Sequence, residues 1–294
     1  MSQLQAVKET NSLDFKDVFT QRLTDRLSVR IYKDCRPSNL ETGALQKGLV
    51  LLLDGNELIE EGVGFGVPVV KYEDKTFFSS KADVSIKKIG SDISITKVFT
   101  LDTVSLKKFG NATYIDDAVY TPFRKTFERL YLKHKQLIPL FNKVMELRDF
   151  ANIKTEFIKV KPRGQVTVTY SCQSKSIDII ADFSKIALNK CREVLILNEQ
   201  GANFFRRYVD SNGLNLLDHK IGAWETVRAN EASLLDIGGQ VSFCLQNRGD
   251  TRLFRGWEHT RNRFSWAGLS YSLLPNNGFF DYTIRLLRPR DNFP

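Results

Sequence analysis

The stretch LFRGWEHTRNRFSWAGLSY, residues 253–271, gathers Arg255, His259, Arg261 and Arg263 around one carboxylate, Glu258, with Trp257 and Trp266 among them. A guanidinium makes planar bidentate hydrogen bonds to carboxylates and also bonds hydroxyls. An indole face stacks on a sugar ring or a base and attracts cations. A Glu beside a His suggests proton exchange with a substrate. If the stretch is extended, however, alternate side chains face opposite ways. Arg255, Trp257, His259 and Arg261 then share one face, while Phe254, Glu258 and Trp266 take the other. Glu258 and His259 cannot then act as an adjacent acid–base pair. If residues 258–263 form a loop instead, Glu258 can meet His259 or an Arg, and the cluster can equally be a structural salt-bridge network.

Two further groups have usable chemistry. Glu57, Glu60 and Glu61 stand beside Gly62, Gly64 and Gly66. Such carboxylates can serve as a general base, hold a divalent cation, or form only an acidic turn. The glycines do not spell a dinucleotide-binding loop and suit a turn, a bulge or close approach of another backbone. Asn198, Glu199 and Gln200 follow an apolar run and offer planar donors and acceptors to sugar hydroxyls. Arg206 and Arg207 point to opposite faces if extended, so at most one can join that site. The histidines are His134, His219 and His259, none with a second His or Cys at ligand spacing, so neither a metal nor a cofactor is expected. Cys35, Cys172, Cys191 and Cys244 lie far apart without a C-x-x-C pair and read as free thiols.

The elements that must position these residues are short runs of period-two alternation between turn residues. They include 26–33, 48–54, 65–72, 81–88, 91–99, 155–161, 164–171, 175–182, 193–200, 202–209, 240–246 and 279–287, with a hairpin connection at 86–91. Strand–helix–strand alternation is missing, which argues against a doubly wound parallel sheet. Two helical patterns interrupt the strands. Phe15, Val18, Phe19 and Leu23 predict a short N-terminal helix after Ser12. Thr121 and Pro122 open a long pattern over 121–150, kinked at Pro139, with a cationic opposite face that reads as a solvated surface. The expected architecture is mainly β: a large antiparallel β-sandwich, supersandwich-like, over residues 26–294, with a helical excursion at 121–150. Residues 1–25 form an N-terminal extension, frayed over 1–11.

The C-terminal block RGWEHTRNRFSWAGLSYSLLPNNGFFDYTIRL, residues 255–286, combines an Arg/Glu-bearing strand, a Trp–Ala–Gly–Leu strand and a final aromatic strand ending in Arg. In this it resembles the closing strands of galactose-mutarotase-like β-supersandwiches. That family includes sugar epimerases, polysaccharide lyases and domains of glycoside hydrolases, which bind sugars on a concave sheet; the epimerases use a His acid and a Glu base. The resemblance implies Glu258 or Glu199 as base or acceptor and His259 or His219 as acid. Arg255 and Arg261 become clamps and Trp257 a stacking platform, with Asn198, Glu60 and Trp266 as further substrate contacts. The chain does not match the epimerase His motif.

At 294 residues and 42% hydrophobic, the chain has ample material for a core. It has no apolar run of membrane-spanning length and no secretory signal, so a cytoplasmic location is expected. The formal net charge of +9 favours anionic partners. After Lys220 every cation is Arg, which fits either ligand clamping or packing across a sheet. The expected function is a carbohydrate-binding or carbohydrate-active β-sandwich, epimerase-like or lyase-like, for a carbohydrate or small anion. The alternative is a non-enzymatic binding or scaffold protein for an anionic partner such as nucleic acid. Nucleic acid is not favoured, because the cations are dispersed and no recognition motif is present.

Overall fold

The structure is a computed structural model that describes residues 10–35, 41–72, 75–89, 92–109, 113–116, 154–260, 264–274 and 278–287. In chain order the first strands are β1 (Thr10–Leu13), β2 (Val18–Arg22), β3 (Leu27–Tyr32), β4 (Val50–Leu53), β5 (Asn56–Glu57), β6 (Gly64–Tyr72) and β7 (Thr76–Ile89). Next come β8 (Asp92–Phe109), β9 (Thr113–Asp116), β10 (Lys154–Lys159), β11 (Gln165–Cys172), β12 (Ser176–Asp182), β13 (Cys191–Gln200) and β14 (Phe205–Asp210). The last are β15 (Asn215–Leu217), β16 (Glu225–Thr226), β17 (Glu231–Asp236), β18 (Ser242–Gln246), β19 (Arg252–Thr260), β20 (Phe264–Leu273) and β21 (Phe279–Leu287). Helical structure among the described residues is confined to 3-10 turns at Glu41–Ala44, Leu188–Lys190 and Asp218–Ile221, and no helix among them is long and apolar enough to cross a membrane.

Every pairing between these strands is antiparallel. One ribbon runs β16–β19–β20–β13–β6–β7–β8–β11–β12–β21–β18–β17–β14–β15. It folds back on itself in a sandwich-like arrangement. Phe65 of β6 packs edge-on against Phe243 of β18, with ring centroids 5.1 Å apart, and Tyr271 of β20 meets Phe280 of β21 at 5.1 Å. Strands β2 to β5 form a separate sheet, joined to β6 by the Leu49–Phe65 bridge.

Most strands bury one face. Leu27, Val29 and Ile31 alternate with half-buried neighbours, as do Val166, Val168 and Tyr170. Strands β6 and β13 differ, because residues 64–70 and 194–200 are buried on both faces. Their inner face belongs to the core. The segments 45–49 and 58–63 contribute to the cover on the outer face, where the cleft described below lies. A bulge sets which side chains reach it. The register steps from Leu197–Val67 to Asn198–Phe65, so Gly66 is the extra residue, with φ +75°. Phe65 consequently turns to the core and Val67 to the cleft. An added Cβ at Gly66 would stand 2.8 Å from the Tyr170 ring, so the close-approach reading of this glycine holds.

Two expectations change. The expected N-terminal helix is strand β2, paired with β3, and Asn11 and Thr10 lie in β1, paired with β7. Phe15, Phe19 and Leu23 are four apart, and four is a multiple of the strand period as well as close to a helical turn. Val18, which fits only the helical face, is 41% exposed. The helix expected at 121–150 lies outside the described residues.

Candidate active site

The cleft has a volume of about 170 Å³ on the outer face of β6, β13, β20 and β19. Val67, Val69 and Leu197 form its apolar floor, and Glu61, Glu199 and Glu258 bring carboxylates to it. Trp224 and Trp266 supply indole walls with ring centroids 5.7 Å apart. Strand alternation decides which residues arrive. Glu258 pairs with Trp266 across β19–β20, and the Trp266 Nε1–H donates to Glu258 at 3.3 Å. Gly256 and Gly268 share that face; a side chain at Gly256 would occupy the space of the Trp266 ring, and one at Gly268 that of Glu199.

Glu199 is 7% exposed and accepts a long hydrogen bond of 3.3 Å from the Val63 N–H. Burial disfavours its charged form and pushes its pKa up to about 7. The Val63 N–H and the fully buried Lys47 ammonium oppose that shift, and the Glu258 carboxylate adds to it. Glu199 therefore holds a proton at a pH where an ordinary carboxyl has lost it. Among the described residues no three His, Cys, Asp or Glu side chains are arranged to hold a metal ion. The cation site considered for Glu57, Glu60 and Glu61 is not formed: Glu57 instead binds Arg30 at 2.7 Å and accepts from the Tyr32 hydroxyl.

Trp224 sits in the turn between the Asp218–Ile221 3-10 turn and β16. Its φ of +59° is a backbone conformation that a bulky L residue adopts only when its surroundings enforce it. Here the Trp257 N–H bonds the Gly222 carbonyl at 2.7 Å, and the Trp224 ring packs against Phe254 at 6.3 Å.

Of the residues singled out from sequence, Glu199, Glu258 and Trp266 meet in this cleft. His259 does not: it lies on the opposite face of β19, as alternation requires, with Nδ1 3.1 Å from the Ser265 hydroxyl. That hydroxyl donates to Glu60, so its oxygen is left to accept from the imidazole; Glu60 also accepts from Asn203. His219 is exposed on the Asp218–Ile221 turn. Trp257 donates its Nε1–H to the Ala202 carbonyl at 3.1 Å. Arg255 donates to the Ile221 carbonyl at 2.9 Å and lies over the Tyr208 ring. Arg261 lies outside the described residues. Asn198 turns into the core, where its Oδ1 accepts from the Gly66 N–H at 3.0 Å and the Tyr282 hydroxyl at 2.7 Å. Gln200 bonds the backbone of Leu51 and Leu49. Arg206 and Arg207 do diverge, to Asp218 and Asn215 respectively. Several late arginines pack across sheets: Arg252 reaches Glu193 at 3.4 Å, and Arg285 pairs with Glu231. All four cysteines are free.

Sequence reasoning missed Trp224, Gln46 and Lys47. They stand in irregular segments, where no periodicity assigns a face. A larger depression of about 330 Å³ is lined by Lys75, Phe77, Val160, Lys161, Pro162 and Arg163, and it has cations but no acid–base partner.

No family model matches the chain, and none of the curated proteins matches it. Among solved structures, the chain is similar to the α-N-acetylgalactosaminidase NagBb of Bifidobacterium bifidum, solved with GalNAc, at 8% identity and a TM-score of 0.42. The match covers 95% of this chain and 36% of that one, so this chain spans little more than a third of that enzyme's length. It is also similar to a protein of Escherichia coli K12 assigned as an aldose 1-epimerase, at 6% identity and a TM-score of 0.36, covering 92% of this chain and 98% of that one. The structural neighbours thus include the aldose-epimerase class of β protein that residues 255–286 resemble. At such identities no residue of either protein is carried over.

Proposed function

We propose that the chain is a carbohydrate-active protein whose site is the cleft between β13 and β19, with Glu199 and Glu258 as its acid–base pair. The observation supporting this is one cleft lined by a buried carboxyl of raised pKa, a second carboxyl group and two indole faces. A carboxyl whose pKa is raised by burial suits the acid role, which leaves the base role to its neighbour. An aldose anomerisation suits that pair. Glu199 gives its proton to the ring oxygen as Glu258 takes the proton of the anomeric hydroxyl, so the C1–O5 bond breaks and the open-chain aldehyde forms. Rotation about C1–C2 and the reverse transfers close the other anomer and return both carboxyl groups to their starting states. Trp224 and Trp266 present flat apolar faces to the sugar ring.

The test is polarimetry of freshly dissolved aldoses with the wild type, Glu199→Gln and Glu258→Gln. General acid–base catalysis contributes about 10²–10⁴-fold, so each variant is expected to lose about that factor in kcat/KM. Variants that keep their circular dichroism and also turn over at the wild-type rate would remove the cleft from the mechanism. A panel of aldoses that neither bind nor turn over would sink the carbohydrate reading itself.

A further inference from the structure

The larger depression, of about 330 Å³, stands apart from the cleft and is lined by cations rather than carboxyl groups. Consecutive residues of β7 separate the two: Phe78 lines the cleft and Phe77 the depression, on opposite faces of the strand. Two tight segments build it. The Tyr72 N–H bonds the Lys75 carbonyl at 2.9 Å and closes the turn from β6 into β7. The turn between β10 and β11 is pinned to β8, with the Val160 N–H on the Asp102 carbonyl at 2.7 Å and the Arg163 N–H on the Leu101 carbonyl at 2.8 Å. Pro162, with its fixed φ, stiffens the segment between those two bonds.

Lys75, Lys161 and Arg163 are exposed, line this depression, and form no ion pair with a carboxylate among the described residues. By contrast Lys71, in the same hairpin, is taken by Glu193 at 2.6 Å. The Arg163 guanidinium lies 4.8 Å over the Tyr72 ring, which steadies it without neutralising it. The backbone brings two further exposed lysines alongside. Gly164 bridges Ile186, the residue after Lys185, and Tyr72 pairs with Cys191, the residue after Lys190. Glu73 and Asp74, next to Lys75 in sequence, lie outside the described residues. Like charges around one depression repel, and a bound anion relieves that repulsion. Phe77, Val160 and Pro162 give the depression an apolar side.

We propose that this depression binds a phosphate monoester, a small molecule whose phosphoryl group meets Lys75, Lys161 and Arg163 while its carbon skeleton lies on Phe77, Val160 and Pro162. A phosphoryl group carries nearly two negative charges near neutral pH and three acceptor oxygens, a match for three cations from two segments. The guanidinium can take two of those oxygens in the planar bidentate mode that a lysine lacks, and the lysines act as point charges. The inference is independent of the cleft and of the reaction proposed for it.

Calorimetric titrations near pH 7.5 in low salt would compare phenyl phosphate, phenyl sulfate, inorganic phosphate and a short single-stranded oligonucleotide. Phenyl phosphate is expected to bind about fivefold or more tighter than phenyl sulfate, which has nearly its shape and less charge, and than inorganic phosphate, which has no apolar part. Lys161→Gln and Arg163→Gln are each expected to weaken phenyl phosphate about tenfold. Arg163→Lys keeps the charge and loses the fork, so it recovers only part of that loss. Lys87→Gln, at an exposed cation elsewhere on β7, is expected to leave the affinity unchanged. These side chains are all exposed, so circular dichroism should match the wild type in every variant. An equal loss in Lys87→Gln would assign the binding to net charge and overturn the inference. So would phenyl phosphate that fails to bind, or binds no better than phenyl sulfate or inorganic phosphate. If the oligonucleotide binds and phenyl phosphate does not, the depression belongs to a polyanion surface and the inference fails.

Discussion

Asn198, Glu199 and Gln200 are consecutive, yet they enter three different surroundings. Asn198 ties β6 to β21, Gln200 ties β13 to the second sheet, and Glu199 alone reaches the cleft. Its altered proton affinity has a consequence for stability. The folded pKa is about 7 against an ordinary 4.5, so the folded state keeps a proton that the unfolded chain has released. Stability is then greatest below the unfolded value and falls as pH rises through about 7, by roughly 3 kcal/mol over the whole interval. Glu199→Gln removes this dependence. In urea melts the variant should gain on the wild type by about that amount between pH 5 and pH 8; a constant difference would mean that Glu199 titrates normally. Glu258 and Lys47 remain in both proteins, so comparing them isolates Glu199. Residue type singled out Glu199, Glu258 and Trp266, which the fold brings to one cleft. It could not reveal that Arg255 and Trp257 spend their donors on the Ile221 and Ala202 carbonyls, since those partners meet only in the folded chain. Gln46 is an ordinary loop glutamine until the fold buries one end of its amide without a partner.

Among the elements, the β6 bulge has the most influence on the site, because it chooses which side of the strand faces outward. Gly66→Ala should cost roughly 2–5 kcal/mol, from a left-handed backbone and a clash with the Tyr170 ring. Chemical denaturation would show it; an unchanged midpoint would mean that the bulge relaxes without penalty. Strands such as β3, β11 and β12 were legible because one face is buried and the other is not. The β6 and β13 runs were legible as strands but not as the floor of a site, since burial on both faces erases the alternation that would distinguish the two sides. At β2 a four-residue spacing suited two periods, and the pairing with β3 decided between them.

For the whole molecule, the tie between its layers runs through a small polar cluster. Asn198 accepts from Gly66 and Tyr282, and the Tyr170 hydroxyl donates to the Phe65 carbonyl at 3.0 Å. Asn198→Ala strands two buried donors and should destabilise by about 2–4 kcal/mol, with the urea dependence itself unchanged. A loss below about 1 kcal/mol would show that the layers are held by their apolar contacts without this cluster. Antiparallel β architecture was readable from turn spacing and the absence of strand–helix alternation. The folding-back of one ribbon was not, because antiparallel register is set by partners distant in the chain, as β12 is from β21.

The chain's three tryptophans are Trp224, Trp257 and Trp266. Two of them wall the cleft, and the third stands on the other side of the strand that delivers Glu258. The ultraviolet emission of this protein is therefore a local signal, weighted to one corner of a long ribbon. A change in that light reports first on what occupies or ionises the cleft, and only secondarily on the rest of the chain.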